Sequence, residues 1–138
     1  MAAETAGVNK ARPLSPHLQI YRTTSNMAMS MLHRLTGAAL YLGTVLFAWW
    51  LIALATGPDH YDTVRWVFSS LPGRLVLIGY TWALVHHLLG GLRHFLWDTG
   101  RGFSLPVVNL LSWLTIIGSL AITGAIWAYL LLVRHWGL

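Results

Sequence analysis

Three long stretches of the chain are almost free of polar side chains, and the segments between them are short and rich in helix breakers. Leu35 to Thr56 carries no charge, and Leu75 to Leu92 is uncharged apart from any proton on His86 or His87. Leu105 to Val133 is interrupted mainly by Asn109, Ser112 and Thr115. About 20 helical residues cross the ~30 Å hydrocarbon core of a bilayer, so each stretch can span. The third exceeds a straight crossing, which predicts tilt or an interfacial first turn. The pattern predicts an all-α membrane protein of three transmembrane helices. Its spans fall at about residues 30–56, 75–97 and 105–133, in one domain over 30–138.

Residues 1–29 are polar and contain Pro13 and Pro16, so they predict a tail that does not span. The tail lacks both the short apolar core of a secretory signal and the Arg- and Ser-rich bias of a transit peptide. The first span is expected to act as its own insertion signal. Gly57 and Pro58 break the helix after it, and Tyr61 to Leu71 predicts a short interfacial helix with Val64, Val67, Phe68 and Leu71 on one side. Thr99 to Gly102 predicts a turn.

Composition agrees and narrows the class. Charged residues make up 9% of the chain, where a soluble domain carries roughly 25%. A water-facing surface cannot be covered with so few charges, and hydrophobic residues reach 56%. The absence of cysteine excludes a disulfide scaffold and any thiolate metal site. The net charge of +5 does not point to nucleic acid, because the basic residues stand singly at the ends of apolar runs. There they orient a membrane protein and meet anionic lipid headgroups. Lys10, Arg12, Arg22, Arg34, Arg93 and Arg101 fall on the N-terminal side, against Arg65, Arg74 and Arg134 opposite. The N-terminus is therefore expected in the cytoplasm and the C-terminus on the outer face. Trp49, Trp50, Trp97 and Trp136 fall near span ends, as an aromatic belt does.

Seven histidines are many for such a chain. On the second span, Tyr80, Leu84, His87, Gly91, His94 and Asp98 share one helical face, while His86 lies about 100° away on a stripe with Ala83, Gly90 and Arg93. With Arg93 at the cytoplasmic interface, His87 lies roughly 9 Å deeper. An ionisable group at that depth is a functional candidate. It can relay protons, hydrogen-bond a neighbouring helix, or ligate a metal or haem iron. Gly91, one turn away on the same face, leaves room for a flat macrocycle, although glycine also serves helix packing. Neither the first nor the third span offers a histidine at the depth of His87, and His33 and His94 sit near the interface. A haem iron bound by two histidines would need the second from another subunit.

At the mouth of the first span, Ser30 and Arg34 are one turn apart and share a face. Arg34 reads equally as an orienting cation and Ser30 as a helix-start residue. As a polar pocket, the pair could neutralise a haem propionate or polarise a quinone carbonyl.

Three motifs occur in order on the expected segments. They are Arg12-Pro-Leu-Ser-Pro-His-Leu-Gln-Ile-Tyr-Arg22, Ser30-Met-Leu-His-Arg-Leu-Thr-Gly37 and His87-Leu-Leu-Gly-Gly-Leu-Arg-His-Phe-Leu-Trp-Asp98. Together they resemble the cytochrome b membrane-anchor subunits of succinate dehydrogenase, over nearly the whole chain. The resemblance implies a respiratory complex of four subunits: a flavoprotein, an iron–sulfur protein and two membrane anchors. Succinate is oxidised in the flavoprotein, and ubiquinone is reduced at the membrane. It implies His87 as the axial haem b iron ligand, with the other axial histidine on the second anchor. It also implies Ser30 and Arg34 at the ubiquinone site, and His33, Arg34 and His94 at the haem propionates. The fold implied is half of a heterodimeric haem-binding bundle in a bacterial inner membrane, with a periplasmic C-terminus and no nucleic acid partner. Two other expectations stand beside it. One is a structural anchor without haem; the other is a small proton transporter relaying through His86, His87 and His94.

Overall fold

A computed structural model describes residues 14–137, with side chains through Val133. Lys10 and Arg12, used above for orientation and for the first motif, lie outside the described residues, as do the side chains of Arg134 and Trp136. Among the described residues the chain is all helical, with no strand. A short 3-10 turn, His17–Gln19, precedes four helices: α1 (Ser25–Thr56), α2 (Pro58–Ser69), α3 (Leu71–Asp98) and α4 (Leu105–Gly137).

Local chemistry sets each boundary. Thr24 caps α1 by accepting from the Met27 amide at 3.4 Å, which brings the helix start to Ser25, ahead of the expected residue 30. α1 stops at Gly57, whose φ of 124° disfavours any residue with a Cβ. Pro58 then opens α2, where its missing N–H costs nothing. The Ser70 hydroxyl caps α3 by accepting from the Gly73 amide at 3.2 Å. Leu71, expected on the interfacial helix, therefore belongs to α3. Gly73 lets the α2 backbone at Val67 pass close to α3.

α1, α3 and α4 are each long and apolar enough to cross a membrane. α1 has 32 residues, or about 48 Å at 1.5 Å per residue, so it must tilt or extend past the hydrocarbon. α2 lies between the first two spans, with Val64 buried beneath it and Trp66 exposed.

The helices pack through polar and small groups. Thr36, His86, Arg93, Ser112, Thr115, Ser119 and Thr123 are buried, whereas leucines such as Leu42, Leu88 and Leu120 face outward. In a bilayer, hydrocarbon outside is no worse for leucine than protein inside, so helix contacts rely on close approach and hydrogen bonds. Ser112, Thr115, Ser119 and Thr123 recur every three or four residues and form one stripe of α4. Between α1 and α3, rings sit opposite glycines: Tyr80 against Gly43, His87 against Gly37, and His33 against Gly90.

Arg93, expected near the interface among the orienting cations, is 4% exposed and packed against α4. Its NH1 donates to Ser112 Oγ of α4 at 3.2 Å.

Candidate functional site

His87 is half-buried on α3, where that helix crosses α1. Its Nδ1 stands 3.1 Å from the backbone carbonyl of His33 and 3.3 Å from Thr36 Oγ1. The Thr36 proton is committed to the carbonyls of Leu32 and His33, at 3.0 and 2.9 Å. Thr36 Oγ1 and the His33 carbonyl can therefore only accept, so the proton of a neutral His87 sits on Nδ1. Nε2 is left with a bare lone pair, the form a metal requires.

Two further histidines surround this ring. The His33 ring lies flat on His87, with centroids 3.9 Å apart and planes 6° from parallel. His94 is 5.2 Å from His33 and meets Trp97 edge-on, also at 5.2 Å. His33 Nδ1 is buried with no hydrogen-bond partner among the described residues. Gly37 makes the packing possible, since a Cβ there would come within 3.0 Å of His87 Cε1. Gly91 has a different surrounding: a side chain built on it would meet nothing within 4 Å. Among the described residues no side chain occupies that space. Leu84, also on that face, is half exposed. Next to His87 this face is left uncovered at Leu84 and Gly91, while farther along it Tyr80 packs on Gly43 of α1.

Ser30 and Arg34 line one cavity of about 620 Å³, together with Asn26, Met27, Met31 and Leu35. Neither Ser30 nor Arg34 forms a side-chain hydrogen bond among the described residues, so both retain their donors for a guest. Asn26 joins them one turn earlier. Sequence reasoning passed over it because the helix was expected to begin at residue 30. Its spacing of four from Ser30 was the available signal. Arg34 is exposed and lines this cavity, outside the ring contacts among His33, His87 and His94.

His86 points elsewhere. It is 1% exposed, and its Nδ1 is 3.2 Å from Ser119 Oγ of α4. Trp82 Nε1 donates to the same oxygen at 3.2 Å. Ser119 sends its own proton to the Ile116 carbonyl at 2.9 Å, so the neutral His86 also carries its proton on Nδ1. Two adjacent histidines thus serve two interfaces: His87 meets α1 and His86 meets α4. Among the described residues no three histidine or acidic side chains converge on one point to hold a free metal ion.

Known proteins share this sequence over most of its length. The family model for the succinate dehydrogenase/fumarate reductase transmembrane subunit matches residues 8–126. The chain is 43% identical over 118 residues to the succinate dehydrogenase cytochrome b556 subunit of Paracoccus denitrificans, covering 85% of this chain and 91% of that protein. It is 38% identical over 119 residues to the corresponding subunit of Rickettsia felis, covering 84% and 90%. The mitochondrial cytochrome b560 subunit of Sus scrofa is 41% identical over 100 residues, 69% of this chain and 57% of that protein.

Proposed function

The chain belongs to the family of succinate dehydrogenase/fumarate reductase transmembrane subunits, and from that premise we propose that it is the cytochrome b anchor of a succinate:ubiquinone oxidoreductase. In this role it binds haem b jointly with a second anchor subunit and forms part of the ubiquinone-reduction site. One observation carries the proposal: His87 Nδ1 is tied to the His33 carbonyl, which leaves Nε2 bare on a helix face where Gly91 meets no other group.

These residues fit a haem. His87 supplies a neutral imidazole whose other nitrogen is held by a carbonyl, the arrangement that orients a metal-binding histidine. The unfilled space at Gly91 admits a flat ring beside it. The His33 ring, expected nearer the interface, instead lies flat on His87, with its Nδ1 unpartnered among the described residues; it, His94 and Arg34 would hold the propionates. When bound, haem b supplies a one-electron store at its iron. A second histidine for the iron would come from the other anchor, which would make this bundle half of a heterodimeric one.

The Ser30–Arg34 cavity supports the quinone role. Arg34 offers a guanidinium to a quinone carbonyl and Ser30 a hydroxyl, while Met27, Met31 and Leu35 provide apolar walls. Together they position the head group and stabilise the charge that develops on its oxygens. With no cysteine in the chain, the iron–sulfur clusters belong to an iron–sulfur subunit and succinate oxidation to a flavoprotein. The membrane domain begins with α1 at Ser25, ahead of the expected residue 30, and the polar segment before it is assigned to the cytoplasm. The N-terminus faces the cytoplasm of a bacterium and the C-terminus its periplasm.

The test is a visible spectrum of the complex purified with its partners. The reduced protein is expected to show b-type α and Soret bands, and His87→Ala to lose them. Bands that are absent from the start, or unchanged in the variant, would leave a structural anchor without haem ligation by His87. A proton relay through His86, His87 and His94 finds less support, because His86 is engaged with Ser119 on another face.

A further inference from the structure

Arg93 is the only Lys or Arg buried inside the helices among the described residues. Its NH1 donates to Ser112 Oγ at 3.2 Å. Its guanidinium carbon lies 4.9 Å from the Trp97 ring centroid. Nε is buried with no partner among the described residues. Neither a serine hydroxyl nor an indole face carries a negative charge. Of the acidic residues, Glu4 lies outside the described residues, and Asp59 and Asp62 sit on α2, at the other end of α3. Asp98 is exposed and forms no ion pair with Arg93. A guanidinium cannot shed its proton, and a buried charge without a counter-charge is strongly unfavourable. Among the described residues no carboxylate answers this charge, which points to an anion from outside them.

The surroundings narrow its chemistry. Arg93 lines a cavity of about 210 Å³ between α3 and α4, whose other walls are chiefly Leu89, Leu92, Leu96, Leu111 and Leu114. The site combines one cation with an apolar slot opening between two spanning helices. Arg93 lies five residues before the end of α3, about 7.5 Å along its axis, near headgroup depth with the slot running deeper. We infer that Arg93 and this slot hold a membrane phospholipid, its phosphate on the guanidinium and part of an acyl chain among the leucines. A haem propionate fits less well, because six residues along α3 turn Arg93 about 120° away from His87. A carboxylate from a partner protein would find leucines where its side chain needs further donors. The inference is independent of the function proposed above.

The experiment counts phospholipid by mass spectrometry in the complex purified from its own membrane and washed extensively in detergent. Arg93→Gln removes the charge, and Leu114→Trp fills the slot while leaving the charge in place. Leu114 is exposed, so the second variant keeps the test valid if the first fails to fold. The unmodified protein is expected to retain about one phospholipid per chain that either variant loses, a several-fold drop in bound lipid. Added phosphatidylglycerol should restore the unmodified protein after delipidation and neither variant. Equal retention in all three proteins overturns the inference. So does loss of the second anchor or of haem absorbance in Arg93→Gln with lipid retention intact, since the anion would then be a partner carboxylate or a propionate.

Discussion

The bare nitrogen of His87 is decided by two oxygens on α1. Because Thr36 Oγ1 and the His33 carbonyl can only accept, Nδ1 holds the proton and Nε2 stays available. Ser30 and Arg34 illustrate the reverse case: among the described residues their side chains make no hydrogen bonds, which leaves their donors unused. Arg34→Ala is expected to slow quinone reduction by about 10- to 100-fold, the range for losing a hydrogen bond from a charged group. Ser30→Ala, which removes a neutral donor, should cost a few-fold at most. Succinate oxidation with a soluble dye acceptor should survive both changes. An equal fall in both assays would remove these residues from the quinone site. The i, i+4 spacing made Ser30 and Arg34 legible in the sequence. Asn26 was not, because its membership depends on α1 beginning at Ser25, and that depends on a cap formed by Thr24.

At the level of helices, glycine decides which faces touch. Tyr80 fills the place a side chain at Gly43 would occupy, so Gly43→Leu should destabilise the α1–α3 contact by about 1–3 kcal/mol, a usual penalty for overpacking. Thermal unfolding in detergent measures it; an unchanged midpoint would mean the two helices do not depend on this contact. Gly91 predicts the opposite pattern. A Cβ added at Gly91 meets nothing within 4 Å among the described residues, so Gly91→Ala should leave the isolated subunit's stability unchanged while haem absorbance in the complex falls. Full absorbance in that variant would move the haem away from this face. The α3–α4 contact uses hydrogen bonds instead. Ser119→Ala removes the acceptor of both His86 and Trp82. It should cost about 1–2 kcal/mol, taking roughly 0.6 for an average interhelical bond in a membrane, and the same unfolding measurement reads it.

The whole molecule is turned inside out relative to a soluble bundle. Within the most apolar windows of α1, α3 and α4, the buried share is only 11%, 17% and 11%, so most of the apolar surface must be met by lipid or by other subunits. Orientation in the bilayer is a property at this scale too. The count of Lys and Arg, six against three, is the basis of the proposed cytoplasmic N-terminus. The cysteine-free sequence allows a clean check. In intact cells a membrane-impermeant maleimide should label Asp62→Cys and leave Thr99→Cys unlabelled; the reverse labelling would invert the topology.

The sequence by itself determined the three spans, the α2 segment and the turn before α4. Backbone polar groups cannot be left bare in hydrocarbon, so a long apolar run there must be a helix. It also carried the motifs that place His87, Ser30 and Arg34 in order. Only the tertiary structure decided what each face of α3 meets. His86 and His87 are neighbours in sequence but about 100° apart around the axis. The rotation of α3 against Gly37 on one side and Ser119 on the other makes one histidine a half-open candidate ligand and the other a buried interhelical bond. The same rotation buries Arg93, because helix packing is set by contacts between residues far apart in the chain, which no local pattern records.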